Sequence, residues 1–254
     1  MTFLDSDDEW MPGKLELQRR IMQNRPDVLF SFSNFAVKNS QGREEHDYLK
    51  RWHNDGRTWD EILSPGVLYS SVAALPPGFP DFKIYVGDIY KSELVANYIF
   101  TGTLIVRQEE AADALHFGEG LPTFEDWECF GRLARKGKAA YLDCETAWQI
   151  SHAGDRLTRA DILNTSIARI ALMQRVWGSD ADFLKENGQL YNRTLSEQRL
   201  LKVRGLLAHG ATKEARSEMI GLANVPIAYK LMAKLPKAIA GGIVKLRRVL
   251  ERNK

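Results

Sequence analysis

The hydrophobic period of this chain changes once, near residue 158, and that change divides what the chain can fold into. Before it, short apolar runs alternate with turn residues and helical stretches, the pattern of a mixed α/β layer. After it, apolar residues recur at three- and four-residue spacing, as in packed helices. Two regions are therefore expected, residues 1–157 and 158–254. In the first, Val28 to Asn34 alternates Phe30 and Phe32 with Ser31 and Ser33, which predicts a strand buried on one face. Met1 to Leu4, Asn97 to Arg107 and Lys138 to Cys144 read as further strands, and Lys14 to Gln23 as a helix. Residues 46–64 are aromatic and charged without a clean period, and residues 75–82 carry Pro76, Pro77, Gly78 and Pro80. Both stretches are expected to be irregular and surface-borne. In the second region, Ala160 to Trp177, Ser196 to His209 and Thr212 to Ala223 predict helices, with Gly178 and Gly210 as stops.

With 44% hydrophobic and 27% charged residues in 254, the chain can bury a core, which excludes disorder and collagen-like repetition. No apolar run reaches the ~18 residues of a spanning helix. The opening Met1-Thr2-Phe3-Leu4-Asp5 has neither a basic nor an apolar leader segment, so a cytoplasmic protein is expected. Cys129 and Cys144 lack the spacing of a zinc or redox pair and read as packing residues. A formal charge of +2 gives no argument for nucleic acid as a partner, but the charge is unevenly spread. Residues 226–254 hold Lys230, Lys234, Lys237, Lys245, Arg247, Arg248, Arg252 and Lys254 against the single acid Glu251. This tail reads either as an amphipathic segment on an anionic membrane surface or as the solvated end of the helical region.

Three features carry candidate chemistry. Asp5-Ser6-Asp7-Asp8-Glu9 follows the first apolar run and precedes a helix. In extended backbone Asp5 and Asp7 point the same way, and two hard oxygen ligands so placed suit Mg²⁺ or Mn²⁺. The competing reading is that acids before a helix satisfy its free N–H groups and dipole. An EF-hand is excluded by Trp10 at the glycine position and by Pro12. Second, Thr123-Phe124-Glu125-Asp126-Trp127 opens a helix, and Thr123 and Asp126 have the spacing of a capping box. An acid at a helix start can also take a proton from an attacking hydroxyl, with Trp127 offering a flat apolar face to an acceptor. Third, His152 lies in a loop after an apolar strand end, a position that by itself fits a hydrogen-bonded histidine.

Taken in order, FLDSDDEW-x-P-x-KLE-x-Q, the run TGTLIVR, then F-x-E-x-L-x-x-x-EDWE-x-x-x-RLARKGKAAYLD and a loop histidine resemble one family. They look like the second half of a family 2 glycosyltransferase with the GT-A fold, over residues 1 to about 155. The fold class so implied is α/β, an incomplete Rossmann-like GT-A domain of the nucleotide-diphospho-sugar transferases, followed by an α-helical C-terminal region. By the resemblance, Asp5 and Asp7 match the D-x-D motif, with Asp7 the direct metal ligand and Asp8 in support. Asp126 matches the catalytic base of inverting members, with Glu125 beside it. Arg132 could face the phosphates, although its spacing differs from the Q-x-x-R-W motif of processive synthases, which implies single transfer. His152 matches a loop position that closes over the diphosphate or metal. The implied donor is a nucleotide-diphospho-sugar, the cofactor Mg²⁺ or Mn²⁺, and the acceptor a glycan or lipid-linked hydroxyl in polysaccharide or glycoconjugate synthesis, reached from the inner face of the membrane. Members carry a nucleotide-binding half of roughly 80 to 100 residues before this motif, a sizeable share of one domain. The expectation is that Met1 is internal to a longer protein; the alternative is a non-catalytic remnant acting as a scaffold.

Overall fold

The computed structural model describes residues 1–151 and 161–235. The chain divides into two units, Met1–Glu119 with Glu125–Gly154, and Gly120–Phe124 with Asp155–Lys254. The first is mixed α/β. Its elements are β1 (Glu9–Trp10), α1 (Lys14–Asn24), β2 (Val28–Asn39), β3 (Glu44–Glu45), α2 (Tyr48–His53), α3 (Trp59–Ile62) and β4 (Val67–Leu68). There follow β5 (Lys83–Gly87), α4 (Tyr90–Glu93), β6 (Ile105–Val106), α5 (Gln108–Ala111), α6 (Glu125–Lys136) and β7 (Lys138–Ser151). The second unit holds α7 (Ile162–Val176), α8 (Ala181–Ala208), α9 (Thr212–Met219) and α10 (Ile227–Met232).

Among the described residues, seven strands join one sheet, in the order β3-β2-β7-β5-β4, with β6 on β2 and β1 on β7. Its centre is the long parallel pair β2–β7, in which Phe32 faces Tyr141 and Ser33 faces Leu142. β6 and β3 run antiparallel on the other edge of β2, and β5 and β1 antiparallel on the other edge of β7. Successive strand residues point to opposite faces. Ile84 and Leu142 accordingly join Leu17, Ile21 and Met22 of α1 in one apolar cluster. Tyr85 and Tyr141, the adjacent residues, lie against Trp59 of α3, which stacks on Tyr141 with ring centroids 3.8 Å apart.

Several expectations change with tertiary context. β2 extends to Asn39 and is buried on both faces, so Ser31 and Ser33 do not meet water. Ser31 Oγ instead accepts from Gln18 Nε2, and Ser33 Oγ lies 2.6 Å from Thr146 Oγ1. Internal hydroxyl pairing thus makes the alternating pattern compatible with a strand covered on both sides. Asn97 to Arg107 is not one strand. Asn97 Oδ1 accepts from Ile99 N, and Thr103 Oγ1 donates to Phe100 O, closing a 3₁₀ turn at Thr101–Thr103 and leaving Ile105–Val106 to pair. Side-chain bonds to the local backbone compete with the ladder there. Met1 to Leu4 contributes a single bridge, Thr2 opposite Ile105, anchored by the terminal ammonium on Val106 O at 2.7 Å. The aromatic stretch 46–64 is core-forming: it supplies α2 and α3, with Leu49 and Ile62 buried. Each helix is too short to show a period.

In the second unit, α8 begins fifteen residues before its predicted start, at Ala181. Asp180 caps it by accepting from Phe183 N, and Asn187 leaves helical geometry at φ −119 and ψ 17 within it. That kink, next to Gly188, is why the periodicity of the first part goes unrecognised. Among the described residues, no helix is long and apolar enough to cross a membrane.

Candidate active site

The acidic turn is held from its far side. Asp8 N donates to Asp5 O at 3.1 Å, Asp8 Oδ1 accepts from Ile150 N at 3.0 Å, and β1 pairs Glu9 with Trp148. Asp8 is thereby a staple between the turn and the end of β7. Trp10 then reaches the 3₁₀ turn, its indole Nε1 donating to Gly102 O at 2.9 Å. From the same turn Thr101 Oγ1 donates to Asp126 Oδ2 at 3.4 Å. The first acids of the chain and the start of α6 are thus tied to one three-residue turn.

The electrostatics register this convergence. Burial and the charges of Asp7 and Glu125 push the Asp5 carboxyl above the ordinary aspartate value. Asp126 is pushed up to about 6, chiefly by burial, with Glu125 and Asp5 adding to it and the hydrogen bonds from Trp127 N and Thr101 opposing it. Four carboxylates from segments 120 positions apart therefore act on one another. Like charge gathered in this way costs stability and concentrates at functional sites.

The capping box expected from Thr123 and Asp126 does not form. α6 begins at Glu125, directly after Phe124 at φ 72, which puts the expected box out of step with the helix. Asp126 Oδ1 accepts from Trp127 N at 2.6 Å instead, which leaves Oδ2 facing Thr101. Trp127 does not offer its face to an acceptor. It is buried on the stripe of α6 that includes Phe130, Leu133 and Ala134, and its Nε1 donates to Glu93 O at 3.0 Å. Its work is to fix the helix start against α4. Arg132 is likewise engaged within the protein. Nη1 pairs with Glu128 Oε1 at 2.7 Å, Nε donates to Ala114 O and Nη2 to His116 O. That guanidinium braces residues 114–116. His152 lies outside the described residues.

Thr101 was not singled out by sequence, because TGTLIVR reads as strand; the Gly between two hydroxyl residues is the available turn signal. A buried polar network below the acidic turn was missed as well. Lys14 Nζ donates to Gln18 Oε1 at 2.8 Å and to Thr2 Oγ1 at 3.4 Å, and Gln18 Nε2 donates to Thr103 O at 2.7 Å. Lys14 also lies over the Trp10 ring, 5.0 Å from its centroid. This network ties α1, the first residues and the 3₁₀ turn together.

Among the described residues, no group of three or more His, Cys, Asp or Glu side chains is arranged to hold a metal ion. Cys129 and Cys144 are packing thiols, pushed by burial to about 11 and about 12. Compared with known proteins, the chain matches no protein-family model and no curated protein.

Proposed function

We propose that the first unit is the acceptor side of a GT-A-type glycosyltransferase and transfers a sugar from a nucleotide-diphospho-sugar to a hydroxyl of a glycan or lipid-linked acceptor, with inversion. The observation that carries this reading is the gathering of Asp5 and Asp7 with Glu125 and Asp126, two motifs that the family resemblance assigns to one reaction. Support also comes from the position of the acidic turn beside the C-terminal end of β7, where sheets with parallel strands present their binding crevices.

Asp126 is suited to the base role. Its carboxyl, raised to about 6, is ionised at neutral pH yet basic enough to take a proton. Thr101 and the Trp127 amide orient it. The acceptor oxygen forms a bond to the anomeric carbon, the bond from that carbon to the diphosphate oxygen breaks with its electron pair, and the acceptor proton passes to Asp126. Glu125 adds negative charge that keeps the base strong. Asp5 and Asp7 would hold Mg²⁺ or Mn²⁺, which when bound neutralises charge on the departing diphosphate.

The test is titration of the protein at its native length, as isolated from its source cells, with a panel of nucleotide-diphospho-sugars in the presence of Mn²⁺, followed by assay of nucleoside diphosphate release. Asp7→Asn is expected to abolish the Mn²⁺-dependent part of donor binding. Asp126→Asn is expected to keep donor affinity within about twofold and lower turnover by about 10²- to 10⁴-fold. Absence of binding to every donor overturns the proposal in favour of a non-catalytic remnant, and unchanged turnover in Asp126→Asn removes the base assignment.

A further inference from the structure

In the second unit, α10 packs Tyr229 and Met232, with Ala233 just beyond it, against a cluster formed by Val203, Leu207 and Ala215. The opposite side of the helix should then be polar. It is not: Ile227 is 75% exposed and Leu231 58%, and Ile220, in the preceding loop, is 75% exposed. These are the three most exposed large apolar side chains among the described residues. Ile227 and Leu231 are four apart and share one helical stripe. Lys230 on α10 and Lys234, two residues past its end, are exposed as well.

The charge of the chain is segregated to the same end. Residues 226–254 hold eight of the 35 Lys and Arg residues but one of the 33 acids, leaving 27 basic against 32 acidic residues in the other 225. We propose that α10 and the Ile220 loop are a docking surface for an anionic lipid bilayer, with Ile220, Ile227 and Leu231 entering the interface and Lys230 and Lys234 meeting the headgroups. Apolar side chains beside a row of ammonium groups match an acyl boundary under phosphates. Nucleic acid is a poorer partner for three exposed aliphatic groups, and a second copy would bring two basic surfaces together. The inference is independent of the glycosyl-transfer reading, because it rests on a different unit and different residues.

Sedimentation of the full chain with vesicles tests it. Binding is expected to vesicles of phosphatidylcholine containing one-third phosphatidylglycerol, and at least about tenfold weaker binding to phosphatidylcholine alone. Ile227→Ser with Leu231→Ser is expected to weaken partitioning by about tenfold or more, since the side chains are already in water and the fold does not need them. Lys230→Gln with Lys234→Gln is expected to lower it by about tenfold at low salt and by less at high salt. The proposal is overturned by no binding to the anionic vesicles, or by Ile227→Ser with Leu231→Ser binding as the parent chain does. It is equally overturned if duplex DNA displaces the vesicles at matched phosphate, or if the patch proves to be buried in a dimer that the same variant dissociates.

Discussion

Lys14 gives the sharpest stability prediction. Its side chain is 1% exposed, it bonds neutral partners only, and burial lowers its ammonium from 10.5 to about 7. In the unfolded chain it returns to the ordinary lysine range. Between pH 7 and 10.5 the unfolded state therefore binds more protons than the folded one, and stability must rise with pH across that window. At about 1.4 kcal/mol for each tenfold change in proton affinity, the rise has a ceiling of about 5 kcal/mol. Lys14→Met keeps the length and apolar stem and removes the titration. It also leaves Gln18 Oε1 without its donor, a cost of about 1–3 kcal/mol that does not vary with pH. The assay is urea unfolding of both proteins at intervals from about pH 6 to about pH 9.5, read as the difference in unfolding free energy. The buried thiols of Cys129 and Cys144 act in the opposite direction at the alkaline end, but they are common to both proteins and cancel in the difference. The parent chain is expected to gain on Lys14→Met by about 2 kcal/mol or more over that range. Parallel curves, within about 0.5 kcal/mol at every pH, would refute the argument that Lys14 is buried as a charge without a counter-charge.

Three further outcomes are expected. Asp126→Asn should stabilise the protein at neutral pH by about 1 kcal/mol while removing turnover. Its carboxyl is raised from 3.8 to about 6, so its contribution is favourable below 3.8 and is lost as pH rises through 6; thermal unfolding at about pH 7 and about pH 3.5 should show the gain only at the higher value. Gly13→Ala should cost about 3 kcal/mol, measured by urea midpoint, because the position has φ 84 and a methyl there overlaps the Phe79 ring. Arg132→Met should cost about 2 kcal/mol in the same assay, through the loss of Glu128 pairing and of the bonds to Ala114 and His116, with donor affinity unchanged.

What the sequence determined by itself were the features written within a few residues of one another. The period of Val28 to Asn34 and of Lys138 to Cys144 located the two strands that pair at the centre of the sheet, because apolar and β-prone residues cluster there whatever surrounds them. The segment Thr123 to Trp127 located the start of α6 to within two residues. Both carboxylate motifs were visible for the same reason, as dense local signals. Which of these residues face water, and which face one another, was decided only by tertiary structure. Trp127 and Arg132 read as ligand-facing from a helix beside a cleft, yet their partners are the Glu93 carbonyl and the loop at 114–116, whose proximity no local pattern encodes. Ser31 and Ser33 read as a solvated face, yet β7 and α1 supply hydroxyl and amide partners from distant positions. Asp5 and Asp126 become neighbours in charge because the Thr101 turn joins the two ends of the unit, and burial there, not the residue type, raises a carboxyl to about 6. Local sequence fixes period and turn chemistry within a few residues, whereas burial and electrostatic environment are set by chain closure over a hundred or more.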